Sequence, residues 1–277
     1  MKVIVADQAG VCFGVKRALD LVEAEVGKGG ALATLGPLIH NPQVVHRLEE
    51  KGVRVVRQVS EVRGGAVVMP SHGVPKDVQD SAEKVGLRVI DATCPFVANV
   101  HKVVKRLAGH GYLVVVVGDT GHSEVKAIRS AAGDEAIVIS SPEEVNAFDW
   151  SGKKVGIVCQ TTQTPERFGE IVGRIAARAK EVVAHNTICY ATHDRQSAAR
   201  ELAPKVDAMF VVGGRNSANT NRLAEICRES GVPTFHIETA DEIDESAVKG
   251  LRVVGLTAGA STPDWIIDEV KARLERL

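Results

Sequence analysis

The chain has 277 residues, enough for one large α/β domain or two to three small ones that bury apolar cores without disulfide or metal staples. Its 34 Lys and Arg against 35 Asp and Glu give a net charge of −1 with no long basic run, which argues against a nucleic-acid backbone or an anionic membrane as partner. The opening MKVIVADQAGVCFG turns polar too early for a signal peptide, and no later run has membrane-spanning length, so a cytoplasmic protein is expected.

Along the chain, short β-branched runs alternate with amphipathic stretches. VIVA precedes the helical pattern GVKRALDLVEAEV. AVVMP, RVIDA, YLVVVVG, KVGIVC and AMFVVGG follow as strands, NTNRLAEICRES as a helix, and VVGLTAG as the last strand. Continuous apolar strands separated by helices predict α/β units with buried parallel sheets, and such folds place ligands at the carboxyl ends of their strands.

The turns at those ends repeat. Cys12 in AGVCFGVKRALDLV, Cys94 in DATCPFVANVHKVV and Cys189 in NTICYATHDRQSAARELA each open a helical pattern. From Cys12 to His40, Cys94 to His122 and Cys189 to Ser217 the interval is 28 residues each time. A second polar loop follows an apolar strand in each third, at His72, Thr161 and Ser261. Spacing that agrees at independent places marks internal repetition. The expected fold is α/β, with three similar small modules at 1–94, 95–187 and 188–277. Packed around a pseudo-threefold axis with loops inward, they would bring three thiolates and about six polar residues to one cavity.

A helix start favours the thiolate, the form that binds metal. Three distant single cysteines without CxxC pairs fit an iron–sulfur cluster better than a closed four-ligand zinc site, and three ligands leave one iron open for chemistry. Cys159 in KVGIVC and Cys227 in LAEICRES lie in apolar patterns and read as core. The loops carrying His40, His72, His122, Ser217, Asn219 and Ser261 are rich in Gly, Ser and Asn and lead into helices, a setting that suits phosphate. There is no Asp-rich magnesium motif and no P-loop, so direct diphosphate binding is expected. Glu124, beside His122, is the best candidate to relay a proton. With no GxGxxG fingerprint after a strand, electrons would come from outside.

The motifs GVCFGV, IHNPQVV, SHGV, DATCP, GHSEV, CQTTQT, ICYAT, GGRNSANTNRL and TAGASTPD together resemble the 4-hydroxy-3-methylbut-2-enyl diphosphate reductase family over nearly the whole chain. The resemblance implies three α/β domains around a [4Fe-4S] cluster held by Cys12, Cys94 and Cys189. It also implies reductive loss of the hydroxyl of the small allylic diphosphate to give isopentenyl and dimethylallyl diphosphates, with two electrons from ferredoxin or flavodoxin. Glu124 would supply protons. His40, His72, Ser217, Asn219 and Ser261 would hold the diphosphate, while His122 and Thr161 complete the pocket. The family's serine pair is here Ser217 and Ala218, so one hydroxyl is missing, and His193 and Asp194 occupy a variable position. Three other readings stay open: a redox-neutral iron–sulfur hydro-lyase, a non-enzymatic iron–sulfur sensor or carrier, and a mononuclear zinc hydrolase.

Overall fold

In the computed structural model, which describes residues 1–133 and 135–277, the helices and strands alternate as the apolar runs predict. In chain order they are β1 (Lys2–Val5), α1 (Phe13–Val26), β2 (Leu32–Leu35), α2 (Pro42–Glu50), β3 (Val53–Val56), β4 (Ala66–Met69), α3 (Lys76–Lys84) and β5 (Arg88–Asp91). Then come α4 (Pro95–Gly109), β6 (Leu113–Val117), α5 (Ser123–Ala132), β7 (Ile137–Ile139), β8 (Lys154–Cys159), α6 (Pro165–Ala176) and β9 (Glu181–Ala184). The chain finishes with α7 (Tyr190–Leu202), β10 (Ala208–Val212), α8 (Ala218–Glu229), β11 (Thr234–Ile237), β12 (Val253–Ala258) and α9 (Asp264–Arg276). None of these helices is long and apolar enough to cross a membrane.

The strands form three four-stranded parallel sheets, ordered β3-β2-β4-β5, β7-β6-β8-β9 and β11-β10-β12-β1. The three orders are one order repeated. Runs such as AVVM in β4 and AMFVV in β10 are wholly buried because they fill the inner places of their sheets. Edge strands such as KVIV in β1 and RVID in β5 expose both ends. The first strand of the chain therefore completes the sheet built by the last segment: Ile4 lies beside Gly255 and Val5 beside Leu256. Divisions near residues 94 and 187 would separate β1 from its own sheet.

The chain divides into two compact units, one of Met1–Lys16, Ile39–His46 and Tyr190–Leu277, the other of Arg17–Leu38 and Arg47–Cys189. In the first, successive β10 side chains point to opposite faces, as strand geometry requires. Phe210 and Val212 pack with Ile266, Val270 and Leu274 of α9, while Met209 and Val211 pack with Leu202 of α7 and Leu223 and Cys227 of α8. In the second unit, Val115, Ile157 and Cys159 pack against Phe168, Ile171 and Ile175 of α6. The opposite face of that sheet carries Val104 and Leu107 of α4 with Val125 and Ile128 of α5. Cys159 and Cys227 are fully buried core residues, as their apolar settings predict, and burial pushes each thiol up to about 11.

Gly156 in β8 is where α4 comes closest to the sheet: a Cβ there would lie 2.9 Å from Leu107 Cδ2 and 3.1 Å from its Cβ. Because Leu107 cannot retreat by rotating its tip alone, Gly156→Ala is expected to cost about 1–3 kcal/mol of stability through overpacking. Urea unfolding of the two chains measures it, and equal midpoints would mean that α4 shifts freely.

Candidate active site

All the singled-out residues sit where parallel sheets present their loops. His40, His122 and Ser217 follow β2, β6 and β10; His72, Thr161 and Ser261 follow β4, β8 and β12; and Cys12, Cys94 and Cys189 follow the edge strands β1, β5 and β9. The 28-residue interval thus has a physical origin. It spans the helix that a cysteine opens and the inner strand that begins the next sheet.

The three cysteine turns share one backbone bond. The N–H of Cys12 donates to the Ala260 carbonyl at 3.1 Å, that of Cys94 to Ser71 at 2.9 Å, and that of Cys189 to Thr161 at 3.0 Å. Each acceptor lies in the polar loop of the neighbouring inner strand. Cys12 and Cys94 also accept the first helical bond through their carbonyls, from Lys16 and Ala98, so each caps its helix without using its sulfur. Cys12, Cys94 and Cys189 are partly exposed and in no disulfide, and the aromatic residues that follow them, Phe13, Phe96 and Tyr190, are exposed. The thiols therefore lie near solvent.

In the second unit, Glu124 of α5 is 3% exposed and takes two hydrogen bonds from Thr161. The Thr161 N–H donates to Oε1 at 2.7 Å and its hydroxyl to Oε2 at 2.9 Å. Burial pushes the carboxyl up to about 7 and Asp119 adds to the rise, while the Thr161 bonds pull it down. Desolvation wins, and the group holds its proton near neutrality. Through the carbonyl of Thr161 the same residue receives the Cys189 N–H, which ties the carboxyl to a cysteine turn. His122 caps α5, its Nδ1 accepting the Glu124 N–H at 3.2 Å. That bond assigns the proton to Nε2, and burial pushes the ring's pKa down, so His122 is a neutral donor. His72 is buried in the loop whose Ser71 carbonyl holds Cys94.

The first unit carries the other polar loops. Ser217 caps α8 by accepting the Thr220 N–H at 3.3 Å, which leaves its own proton free to be given to a ligand. Asn219, 4% exposed, has both side-chain polar atoms buried with no protein partner. Such orphaned groups cost on the order of 1–3 kcal/mol, so a hydrogen-bonding ligand there is rewarded. Ser261 donates to the His40 carbonyl at 3.0 Å, joining the loops after β12 and β2. The loop after β10 is fixed by Arg215 N–H to Glu238 at 2.7 Å and Asn221 Nδ2 to the Arg215 carbonyl at 2.9 Å.

Three residues here carry no obvious signal in the sequence. Asn41 caps α2 through Oδ1, at 3.0 Å from Val44 N, while its fully buried Nδ2 has no protein partner. Gln160 links the loops after β6 and β8, accepting the Asp119 N–H at 2.9 Å and donating to Thr162 at 2.9 Å. Arg195 is a buried cation on α7. The pattern Asn-Pro before a helix was the available clue for Asn41; the other two look like ordinary loop and helix residues.

Each of the three thiols, taken by itself, has the chemistry that the implied cofactor needs. Three single thiols stand outside any disulfide on braced turns, and a soft thiolate set suits iron–sulfur ligation. Among the described residues, no three or more His, Cys, Asp and Glu are grouped to hold a metal ion.

The LytB protein family matches residues 3–275. A 4-hydroxy-3-methylbut-2-enyl diphosphate reductase of Trichlorobacter lovleyi is 50% identical over 100% of this chain and 99% of its own length. The enzyme of the same name from Aquifex aeolicus is 46% identical over 99% of this chain and 96% of its own. Among solved structures, one of (E)-4-hydroxy-3-methyl-but-2-enyl diphosphate reductase, described as the terminal enzyme of the non-mevalonate pathway, aligns over the full length of both chains with a TM-score of 0.71 at 45% identity. The E-1-hydroxy-2-methyl-but-2-enyl-4-diphosphate reductase of Plasmodium falciparum aligns over 100% of this chain and 87% of its own with a TM-score of 0.92 at 27% identity. With its fold, its full-length matches and its repeated cysteine turns in agreement, the chain belongs to the LytB family of 4-hydroxy-3-methylbut-2-enyl diphosphate reductases and is an oxidoreductase.

Proposed function

We propose that the protein removes the hydroxyl of (E)-4-hydroxy-3-methylbut-2-enyl diphosphate to give isopentenyl and dimethylallyl diphosphates, with Cys12, Cys94 and Cys189 holding a [4Fe-4S] cluster. The observation that carries this reading is the buried Glu124 carboxyl, with a pKa of about 7, bonded to the residue whose carbonyl holds the Cys189 turn. Family membership and the three thiols outside any disulfide support it. The cluster would supply two electrons, one at a time, and an iron that no protein thiolate occupies.

The balance of the reaction needs two protons. The allylic C–O bond breaks, the departing hydroxyl takes one proton and leaves as water, and two electrons with a second proton complete the new C–H bond. Glu124 supplies protons at this place. When its Oε2 is protonated it can donate along the 2.9 Å contact to the Thr161 hydroxyl, which then gives its own proton to the substrate. His122 keeps Nε2–H as a donor to the substrate. Ser217 and Asn219 donate to the diphosphate together with His40, His72 and Ser261; Ser261 does so by turning its proton away from the His40 carbonyl. At Ala218, in the first turn of α8, the backbone N–H stands in for the missing hydroxyl, aided by the helix dipole.

Electrons come from an external one-electron carrier, a ferredoxin or flavodoxin, and the partly exposed cysteines with their exposed aromatic neighbours suit a short-lived encounter. On this reading the protein works in the cytoplasm as three repeats. Their boundaries lie near residues 94 and 187, with the first strand returned to the last sheet.

Anaerobic incubation of the iron-loaded protein with the diphosphate and a chemical reductant tests the proposal. Reductant-dependent formation of both five-carbon diphosphates is expected. Water loss without reductant would favour the hydro-lyase, and a substrate left intact by fully loaded protein would favour a sensor or carrier. The sign of the pH dependence follows from Glu124. Its proton is held below about 7 and lost above it, so turnover should fall as pH rises through that value. A kcat profile flat from pH 6 to about 8 would remove Glu124 as the donor.

A further inference from the structure

Arginines reach the backbone beside two of the cysteines from helices that other cysteines open. Arg195 lies six residues after Cys189 on α7 and is 4% exposed. One of its terminal nitrogens, Nη1, donates to the Ala191 carbonyl and the other, Nη2, to the Gly10 carbonyl, both at 2.6 Å. A single planar fork thus bridges the backbone two residues after Cys189 and two residues before Cys12. Short bonds from a charged donor are the strong class, and a fixed guanidinium holds two acceptors with an orientation that lysine cannot reproduce. Gly10 is itself fixed: its φ is +102°, and a Cβ there would lie 3.1 Å from Asp264 Oδ1 and 3.2 Å from Ile267 Cδ1. With the Cys12 N–H bound to Ala260, the turn is held on three sides. Arg17, five residues after Cys12 on α1, repeats the device more loosely, donating to the Thr93 carbonyl at 3.2 Å and the Asp91 carbonyl at 3.4 Å just before Cys94.

We propose that Arg195 is a positioning residue that fixes the Cys12 turn for ligation, and that Arg17 does the same more weakly for the Cys94 turn. This rests on the reading that these cysteines hold the cluster. Burying a guanidinium is costly, and the Ala191 bond within α7 aims the fork so that its long-range bond goes to the Gly10 carbonyl at the Cys12 turn. Groups that orient metal ligands typically change metal affinity by about 10–100-fold when removed.

The test compares anaerobically reconstituted wild type, Arg195→Gln, Arg195→Lys, Arg17→Gln and Cys12→Ala by the rate of iron release to a chelator, together with the melting temperature of each metal-free chain. Release is expected to speed up about tenfold or more in Arg195→Gln, less in Arg17→Gln, with partial rescue by Arg195→Lys. A merely structural role would lower the melting temperature of the metal-free chain and leave release at the wild-type rate, which overturns the proposal. Should Arg195→Gln not fold, Arg195→Lys decides in the same way, since it keeps the charge and loses the fork. Full iron retention in Cys12→Ala would mean that the ligand reading has failed. Iron loss there beside wild-type release in the arginine variants would mean that this inference alone has failed.

Discussion

A Cys94→Ser chain prepared and reconstituted without oxygen is expected to fold normally and to hold little or no cluster, with turnover lost entirely. Cys94 caps α4 through its backbone, its N–H is bound by Ser71, and Pro95 starts the helix, none of which needs the sulfur. Removing the thiol therefore spares the fold and removes a proposed ligand. The helix start that favours a thiolate does far less for a serine hydroxyl, whose proton is held much more tightly. Circular dichroism, iron and sulfide content and the visible spectrum decide the outcome. Cys159→Ser is the control with the opposite signature. Cys159 is wholly buried among Val117, Ile157 and Ile171, so its loss should cost about 1–3 kcal/mol of stability while iron content stays at the wild-type level. An intact cluster in Cys94→Ser would remove that residue from the ligand set.

Glu124→Gln is expected to lower kcat by about 10²–10⁴-fold with the cluster intact and substrate still bound. The amide keeps an acceptor for one Thr161 bond, so the loop after β8 and the Cys189 turn that depends on it should keep their places. What the variant lacks is a group that exchanges a proton near neutral pH. The fall in turnover above about 7 should vanish with it. A stability signature accompanies the kinetic one. Because burial raises the carboxyl from 4.5 to about 7, this group's contribution is fully present below pH 4.5 and is lost as pH rises through about 7. Denaturant midpoints across that window should slope less in Glu124→Gln. A kcat within threefold of wild type would rule out Glu124 as the main proton donor.

Much of the architecture could be read from residue spacing because the repeat is covalent. A cysteine, the helix it opens and the next inner strand must span a similar length each time, so Cys12–His40, Cys94–His122 and Cys189–Ser217 agree along the bare sequence. The pairing of β1 with β12 is different in kind. It joins residues about as far apart in the chain as two can be, and the run VIVA has nothing in it that names its neighbour. The candidate site divides along the same line. Thr161 stands in a polar loop that repetition marks, but its two hydrogen bonds to Glu124 are a tertiary contact across 37 residues. Arg195 lies among polar residues of α7 and reads as solvent-facing, since only packing reveals that its charge is buried against Gly10. Charged groups bonded to distant backbone carbonyls leave no periodic trace.

The proposed centre is a four-iron cluster held by three cysteines, with one iron left to the substrate. Mössbauer spectroscopy of ⁵⁷Fe-loaded, anaerobic protein, before and after addition of the allylic diphosphate, tests it most directly. One iron site distinct from the other three is expected, with a change on substrate addition confined to that site. Four irons that remain alike, with or without substrate, would contradict it.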